Sequence, residues 1–324
     1  MAIEWLTQHF THQGLTAYIT HPDCLSYEVE PENPECPERL MAIKDQLMSA
    51  RVFDFLQEFE AEPVTDIQLS RVHPPRYIQH IEALVPSEPH VFNRLNSDMS
   101  ISSGTMRAIR LAAGAVVQAV DLVLNFQVPN AFCAIRPPGH HACTEETMGF
   151  CFVNNVAIGA MHALAEHRLS RVAIVDFDVH HGNGTEEIFQ DEDRVMLLSA
   201  FQQDLFPYCG AEPLGSNPHI VKSPLKSGTK SQGFRDMVES VWLPQLNEFK
   251  PELILISAGF DGHLEDDMGN FGLVEADYQW VTEQIVAVAN QYCGGKIVST
   301  LEGGYDPSSL GRSVVAHIKA LIDA

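Results

Sequence analysis

Arg171–Gly184 reads RVAIVDFDVHHGNG, an unbroken apolar run that ends abruptly in acidic, imidazole-bearing and glycine-rich sequence. Its strand portion, Val172–Asp178, fits a strand covered on both faces of a parallel sheet, because a strand with one wet face would alternate. Thr16–Thr20, Phe132–Arg136, Val195–Ser199, Leu253–Ser257 and Ile297–Leu301 carry a similar signature. Between them, helical spacing covers Pro37–Ser49, Gly104–Leu124, Asn154–Glu166, Phe234–Asn247, Val274–Gln291 and Ser308–Ile322. Within 104–124, Ala112, Val116, Ala119 and Val123 recur at helical intervals and predict a buried stripe. Strand–helix alternation from end to end predicts one α/β domain with a largely parallel sheet.

Composition narrows the class. The chain has 324 residues, 45% hydrophobic and 19% charged, enough apolar material for a large core. Its 43 acidic against 20 basic residues give a net charge of −23, without the basic footprint that phosphate-backbone binding requires. No nucleic-acid partner is expected. Seven cysteines with no C-x-x-C pair predict free thiols in a reducing compartment, hence a cytoplasmic protein. MAIEWLTQHF lacks the basic-then-apolar order of a secretory signal, and no run approaches the roughly 18 apolar residues of a membrane span. No membrane partner is expected either.

Four apolar runs lead into polar loops: RPPGHH, DFDVHHGNG, SAGFDGH and LEGGYD. Ligands of open parallel sheets sit beyond the carboxyl ends of strands, so these loops should converge. Asp178 and His180, two apart at the end of an extended run, should point the same way, and Asp261 ends an equivalent strand. Two carboxylates and one imidazole leave a coordination position open, which suits a catalytic Zn²⁺. Fe²⁺ suits the same mixed oxygen–nitrogen set. Two anionic ligands neutralise most of the metal charge, so a nearby base gains importance; the pair His140–His141 supplies it. Asp176 and Asn183 are candidates to set the tautomers of those rings. Tyr305, after Glu302-Gly303-Gly304, can donate to a developing oxyanion, and the double glycine would let its loop move.

RPPGHHA, GFCFVNNVAIGA, IVDFDVHHGNGT, SAGFDGH and LEGGYD together closely resemble the zinc-dependent histone deacetylase superfamily. Asn183 and Glu302 look like its class II branch, which includes the stand-alone histone deacetylase-like amidohydrolases. The resemblance runs from Pro34–Leu40 (PECPERL) to Tyr305. It implies the arginase–deacetylase fold, a central eight-stranded parallel sheet flanked by helices, with residues 1–324 as a single catalytic domain. It assigns Zn²⁺ to Asp178, His180 and Asp261. It makes His141 the general base and acid, with Asn183 behind it. His140 is implied as an electrostatic partner backed by Asp176, and Tyr305 as the residue polarising the amide carbonyl. The carbonyl of Gly149 is implied to receive the substrate amide, Phe150 and Phe206 to wall a lysyl stem, and Asp98 to grip the substrate backbone. A structural K⁺ near Asp176, Asp178, His180, Ser199 and Ala200 is implied, mainly through backbone carbonyls.

Two departures bear on substrate. Asn33 stands where many members have histidine, which touches the rim rather than the chemistry. Met268 falls near the position where polyamine-selective members carry glutamate, so an acyl-lysine peptide or protein is expected over a small acylated amine such as an acetylpolyamine. Glu265, Asp266 and Asp267 beside it leave the second substrate open. Related stand-alone enzymes leave a homo-oligomer open as well.

Overall fold

The computed structural model describes residues 15–96, 99–211 and 217–324. Its strands are β1 (Thr16–Thr20), β2 (Leu56–Glu60), β3 (Asn93–Arg94), β4 (Ser100–Ile101), β5 (Asn130–Cys133), β6 (Val172–Asp176), β7 (Val195–Gln202), β8 (Ile220–Leu225), β9 (Leu253–Ala258) and β10 (Ile297–Leu301). Eight of them form one sheet in the order β2-β1-β5-β10-β9-β6-β7-β8, and β3 and β4 form a separate antiparallel pair. Every pairing in the large sheet is parallel. Flanked by helices, this is the arginase–deacetylase architecture that the motifs predicted.

Every residue of β5, β6, β7, β9 and β10 is buried, as continuous apolar runs require when both faces are covered. The edge strands β2 (LQEFE) and β8 (IVKSPL) are largely exposed or half-buried, and Pro224 is tolerated in β8 because that strand is an edge. Their mixed composition gives no buried-strand signature, so neither was expected from the sequence. The helix Pro75–Ala83 was not expected either.

Several boundaries move, among them that of β7, which runs on from Ser199 to Gln202. β5 starts earlier and ends at Cys133, with Ala134 N still bonding to Ile19 O at 2.8 Å before the chain turns away. β6 stops at Asp176, so Asp178 lies beyond the strand. The helix expected over 234–247 is two helical stretches, Ser231–Met237 and Leu243–Phe249, joined by a π turn over Val238–Trp242. Pro244 follows that turn, and its missing N–H cannot continue an α pattern.

The helix Thr105–Leu124 carries the expected stripe, with Ala112, Val116, Ala119 and Val123 all buried. Burial extends well around its circumference, because it packs on Asn155–Ala165 and against β1, β5 and β10. A second group places Pro307–Ile322 against Glu38–Ser49 and Glu275–Tyr292. β5, β10, β9 and β6 are consecutive in the sheet, so the four polar loops leave neighbouring strands at the same end.

Candidate active site

Asp178 and His180 do not owe their alignment to strand alternation. After β6 the chain runs through bends at Asp178–His180. Those bends are held by Asp178 N donating to Asp176 Oδ1 at 3.1 Å and His180 N donating to Asp178 Oδ1 at 2.9 Å. His180 Nδ1 then lies 3.0 Å from Asp178 Oδ1 and 3.1 Å from Asp261 Oδ2. One donor atom from each residue lies within 4.8 Å of the others, and all three side chains are buried. The remaining oxygens are tied down: Gly303 N donates to Asp178 Oδ2 at 2.8 Å, and Val179 N to Asp261 Oδ1 at 2.9 Å. Such a buried, pre-ordered set of two carboxylates and an imidazole fits a divalent metal ion. The close packing behind it adds to the fit, since a Cβ on Gly303 would fall 2.1 Å from Asp261 Oδ2 and 2.5 Å from Asp178 Oδ2.

A second group, Asp121, His162 and His167, has the same ligand types but a different polarity. Arg71 approaches His162 Nδ1 at 2.9 Å and can only donate. The His162 ring proton is therefore on Nε2, directed at Asp121 Oδ1 2.7 Å away. His167 Nε2 meets the same oxygen at 2.7 Å. This is a hydrogen-bonded relay from an arginine to a carboxylate, with the His162 nitrogen that would face a metal already carrying a proton.

His140 and His141 follow β5 with ring centroids 4.0 Å apart, and their environments push them in opposite directions. His140 Nδ1 donates to Asp176 Oδ2 at 2.9 Å, and its Nε2 is 3.8 Å from Asp178 Oδ2. Burial opposes its charging, but Asp176 and Asp178 outweigh burial and hold this imidazole well above the usual histidine range. His141 is pushed well below that range by burial and then by its imidazole neighbours, the charged His140 foremost. His141 Nδ1 meets Asn183 Oδ1 at 2.8 Å, while Asn183 Nδ2 donates towards Cys143 Sγ and Met148 Sδ at 3.6 and 3.5 Å. With an acceptor at Nδ1, the ring proton sits there and the lone pair is on Nε2. The two environments thus favour an imidazolium at His140 and a neutral ring at His141.

His141, Gly149, Phe150, His180, Phe206, Met268 and Tyr305 line one cavity of about 270 Å³. The Phe206 ring lies 5.1 Å from that of His141, and Phe150 stands edge-on to Tyr305 at 5.9 Å. The Gly149 carbonyl accepts from Cys151 Sγ at 3.3 Å, which uses one of its lone pairs. Burial holds the Tyr305 phenol well above its ordinary value, so its O–H remains a donor at neutral pH. Asp98 lies outside the described residues. Of the residues of the implied K⁺ site, Ser199 is opposite Asp176 in the β6–β7 register, with Ala200 next along β7.

The double glycine does not loosen the tyrosine loop. Gly303 is there because its Cβ would strike two ligand carboxylates, and Gly304 because it adopts φ +115°. Arg39 grips this segment, donating to Gly304 O at 2.6 Å and to Glu302 O. Arg39 and the fully buried Arg136 share one carboxylate, Glu35, at 3.2 and 2.6 Å. Glu302 reaches the other way: its Oε2 accepts from Gly139 N and His140 N at 2.7 and 3.1 Å, and its Oε1 from Ser257 Oγ at 3.0 Å. Glu35, Arg39, Arg136 and Glu302 had no assigned role from the sequence. The available signal was charge embedded in otherwise strand-end or helix-start motifs, PECPER, IRPPG and LEGG.

Residues 33–321 match the family model described as the histone deacetylase domain. The chain is 36% identical over 300 residues to a probable deacetylase of Archaeoglobus fulgidus, covering 90% of this chain and 81% of that protein. It is 35% identical over 296 residues to the histone deacetylase-like amidohydrolase of Pseudomonas aeruginosa, covering 90% and 76% respectively. Among solved structures, the crystal structure of the HDA15 HD domain aligns with a TM-score of 0.89 and 33% identity, covering 96% of this chain and 89% of that one.

Proposed function

The chain belongs to the histone deacetylase family, and from that premise we propose that it is a zinc-dependent amidohydrolase removing acetyl or other acyl groups from acyl-lysine. One observation carries the reading. A neutral histidine, a phenolic donor and His180 of the three-residue metal-ligand set line a single cavity with aromatic walls.

Asp178, His180 and Asp261 would hold the Zn²⁺, which supplies Lewis-acid polarisation of the carbonyl and acidification of water when bound. His141 Nε2 takes the proton of the attacking water and returns it to the departing amine. His140, kept charged by Asp176, stabilises negative charge accumulating nearby. Tyr305 donates its O–H to the carbonyl oxygen as that oxygen becomes an oxyanion. Phe150 and Phe206 exclude water from the aliphatic stem, and the carbonyl of Gly149 is the acceptor for the substrate N–H. The reading takes residues 1–324 as one catalytic domain, with a structural K⁺ among Asp176, Asp178, His180, Ser199 and Ala200. It places the protein in the cytoplasm, supported by seven cysteines that are all free thiols. Among the described residues, no helix is long and apolar enough to cross a membrane.

Acyl-lysine is favoured over acetylpolyamine because the described cavity lining includes Met268 and no carboxylate other than what lies among the metal ligands behind it. Glu265 is paired with Arg312 at 2.6 Å, and both Asp266 oxygens face backbone amides. An ammonium in the middle of a polyamine would lose water there without gaining a counter-charge.

Zinc-loaded protein should hydrolyse an acetyl-lysine peptide, with acetylspermidine run alongside. Asp178→Asn and Tyr305→Phe should each reduce kcat by about 100-fold or more while the protein stays folded. Full turnover in both variants would sink the mechanism, and a strong preference for acetylspermidine would reverse the substrate.

A further inference from the structure

Asp266 lies in the loop after β9, between the metal-ligand candidate Asp261 and the cavity residue Met268, and is 4% exposed. A buried carboxylate away from any cation needs several donors, and here all those identified are main-chain amides. Asp266 Oδ1 accepts from Met268 N at 3.0 Å. Asp266 Oδ2 accepts from Tyr305 N at 2.6 Å and Asp306 N at 3.0 Å. The last two amides bracket the Tyr305 Cα, so one oxygen restrains the backbone torsions on both sides of it.

The opposite side of the segment is held as well. Arg39 binds the carbonyls of Glu302 and Gly304, and its guanidinium carbon lies 4.8 Å from the centre of the Tyr305 ring. Phe150 packs edge-on against that ring. Asp306 in turn caps the helix Pro307–Ile322 through Ser309 N at 2.7 Å. A donor aimed at an oxyanion loses much of its value when displaced by about 1 Å, which can cost on the order of 100-fold in rate. Fixing the tyrosine backbone from a loop that also carries a metal ligand removes that freedom.

We propose that Asp266 is a positioning residue for the hydrolytic reaction, clamping Tyr305 in register with the Asp261 loop and setting the Met268 wall with the same carboxylate. The proposal rests on the amidohydrolase reading above. It also gives Asp266 a task other than attracting cationic substrates, since its oxygens are directed at amides.

Asp266→Asn is nearly isosteric but places an NH₂ where an oxygen met N–H donors. The test is a double-mutant cycle on the full zinc-loaded chain with an acetyl-lysine peptide: wild type, Asp266→Asn, Tyr305→Phe and the pair, with bound zinc measured for each. Asp266→Asn should lower kcat by about 10- to 100-fold, leave KM within about threefold and leave zinc content unchanged. In the Tyr305→Phe background it should add less than about twofold, because its effect passes through the phenol. Asp266→Glu, which keeps the charge but shifts it by one methylene, should show a smaller kcat loss with the same non-additivity, and it carries the comparison if the asparagine variant does not fold. Wild-type kcat in the variants, or a loss that multiplies fully with that of Tyr305→Phe, overturns the proposal. A wild-type protein without turnover, or a fully active Tyr305→Phe, overturns the hydrolytic reading and this proposal with it; an active wild type with an indifferent Asp266 overturns the proposal alone.

Discussion

Gly303 has no room for a methyl group. Any Cβ there would sit inside the contact distance of both Asp178 and Asp261, so Gly303→Ala must displace a candidate ligand carboxylate or its own backbone. Its N–H, which donates to Asp178 Oδ2, would move with it. Disturbing a bond that orients a metal ligand typically weakens binding by about 10- to 100-fold. A chelator-competition titration should find zinc affinity reduced by that factor in Gly303→Ala. Wild-type affinity would show that the carboxylates have slack that the packing does not suggest. At this scale the ligand and base candidates were legible because they are chemistry-bearing side chains at the ends of apolar runs. Asp266 and Glu302 were not, although Glu302 stands in the quoted LEGGYD and Asp266 lies three residues past SAGFDGH. In each, one carboxylate oxygen binds two main-chain N–H groups brought in from another loop, and a backbone amide leaves no mark in sequence.

Asn154 does at the level of elements what Asp266 does for one residue. Its Oδ1 caps the helix Asn155–Ala165 through Ala157 N at 3.0 Å. Its Nδ2 reaches Ala142 O at 3.2 Å, Thr185 Oγ1 at 3.1 Å and His140 O at 3.5 Å. Its own N–H is received by His73 Nε2 at 2.9 Å, and His73 Nδ1 donates to Thr144 O at 3.0 Å. A helix start, the histidine loop and the helix Asn183–Phe189 are therefore joined at one amide. Asn154→Ala should lower the unfolding free energy by about 3 kcal/mol, roughly 1 for the cap and the rest for buried acceptors left without a donor. Asn154→Asp keeps the cap oxygen but loses the amide donor, so urea titration should find part of the stability restored. Equal losses in the two variants would refute this division. Elements were legible where both faces of a strand are covered; β2 and β8 escaped because an edge strand with one wet flank reads like a loop. The convergence of four loops followed from topology, but the β5-β10-β9-β6 adjacency that produces it did not, since strand order leaves no local signal.

For the molecule as a whole, acid sensitivity has an identifiable source in the core. Thr282 Oγ1 donates to Tyr278 O at 2.6 Å, so it must accept from His317 Nδ1, also at 2.6 Å. His317 Nε2 then accepts from Ser299 Oγ at 2.8 Å, and Phe132, Phe177 and Phe260 surround the ring. This neutral imidazole is fully satisfied, and burial pushes its pKa down to about 3. Above the ordinary histidine pKa, near 6.5, it adds no pH dependence. As pH falls from there towards 3, the unfolded chain takes a proton that the folded one refuses, and stability declines by up to about 1.4 kcal/mol per pH unit. His317→Gln keeps polar atoms but cannot titrate, so the loss of stability between pH 7.5 and 5 should shrink by about 2 kcal/mol in urea titrations. An unchanged pH slope would remove His317 as a source.

The sheet order also constrains when the site can exist during folding. β10 is the last strand in the chain, yet it is seated between β5 and β9 near the middle of the sheet. Before it arrives, β2-β1-β5 and β9-β6-β7-β8 are two half-sheets, each with an unpaired inner edge. Asp178, His180 and Asp261 all belong to the second half, so the metal donors can gather there first. His140 and His141 belong to the first half, and Tyr305 travels with β10. A chain in which β10 has not yet inserted could therefore gather the candidate metal donors without completing the proposed centre. Insertion of one central strand brings the base and the phenol to them and closes both open edges in the same event.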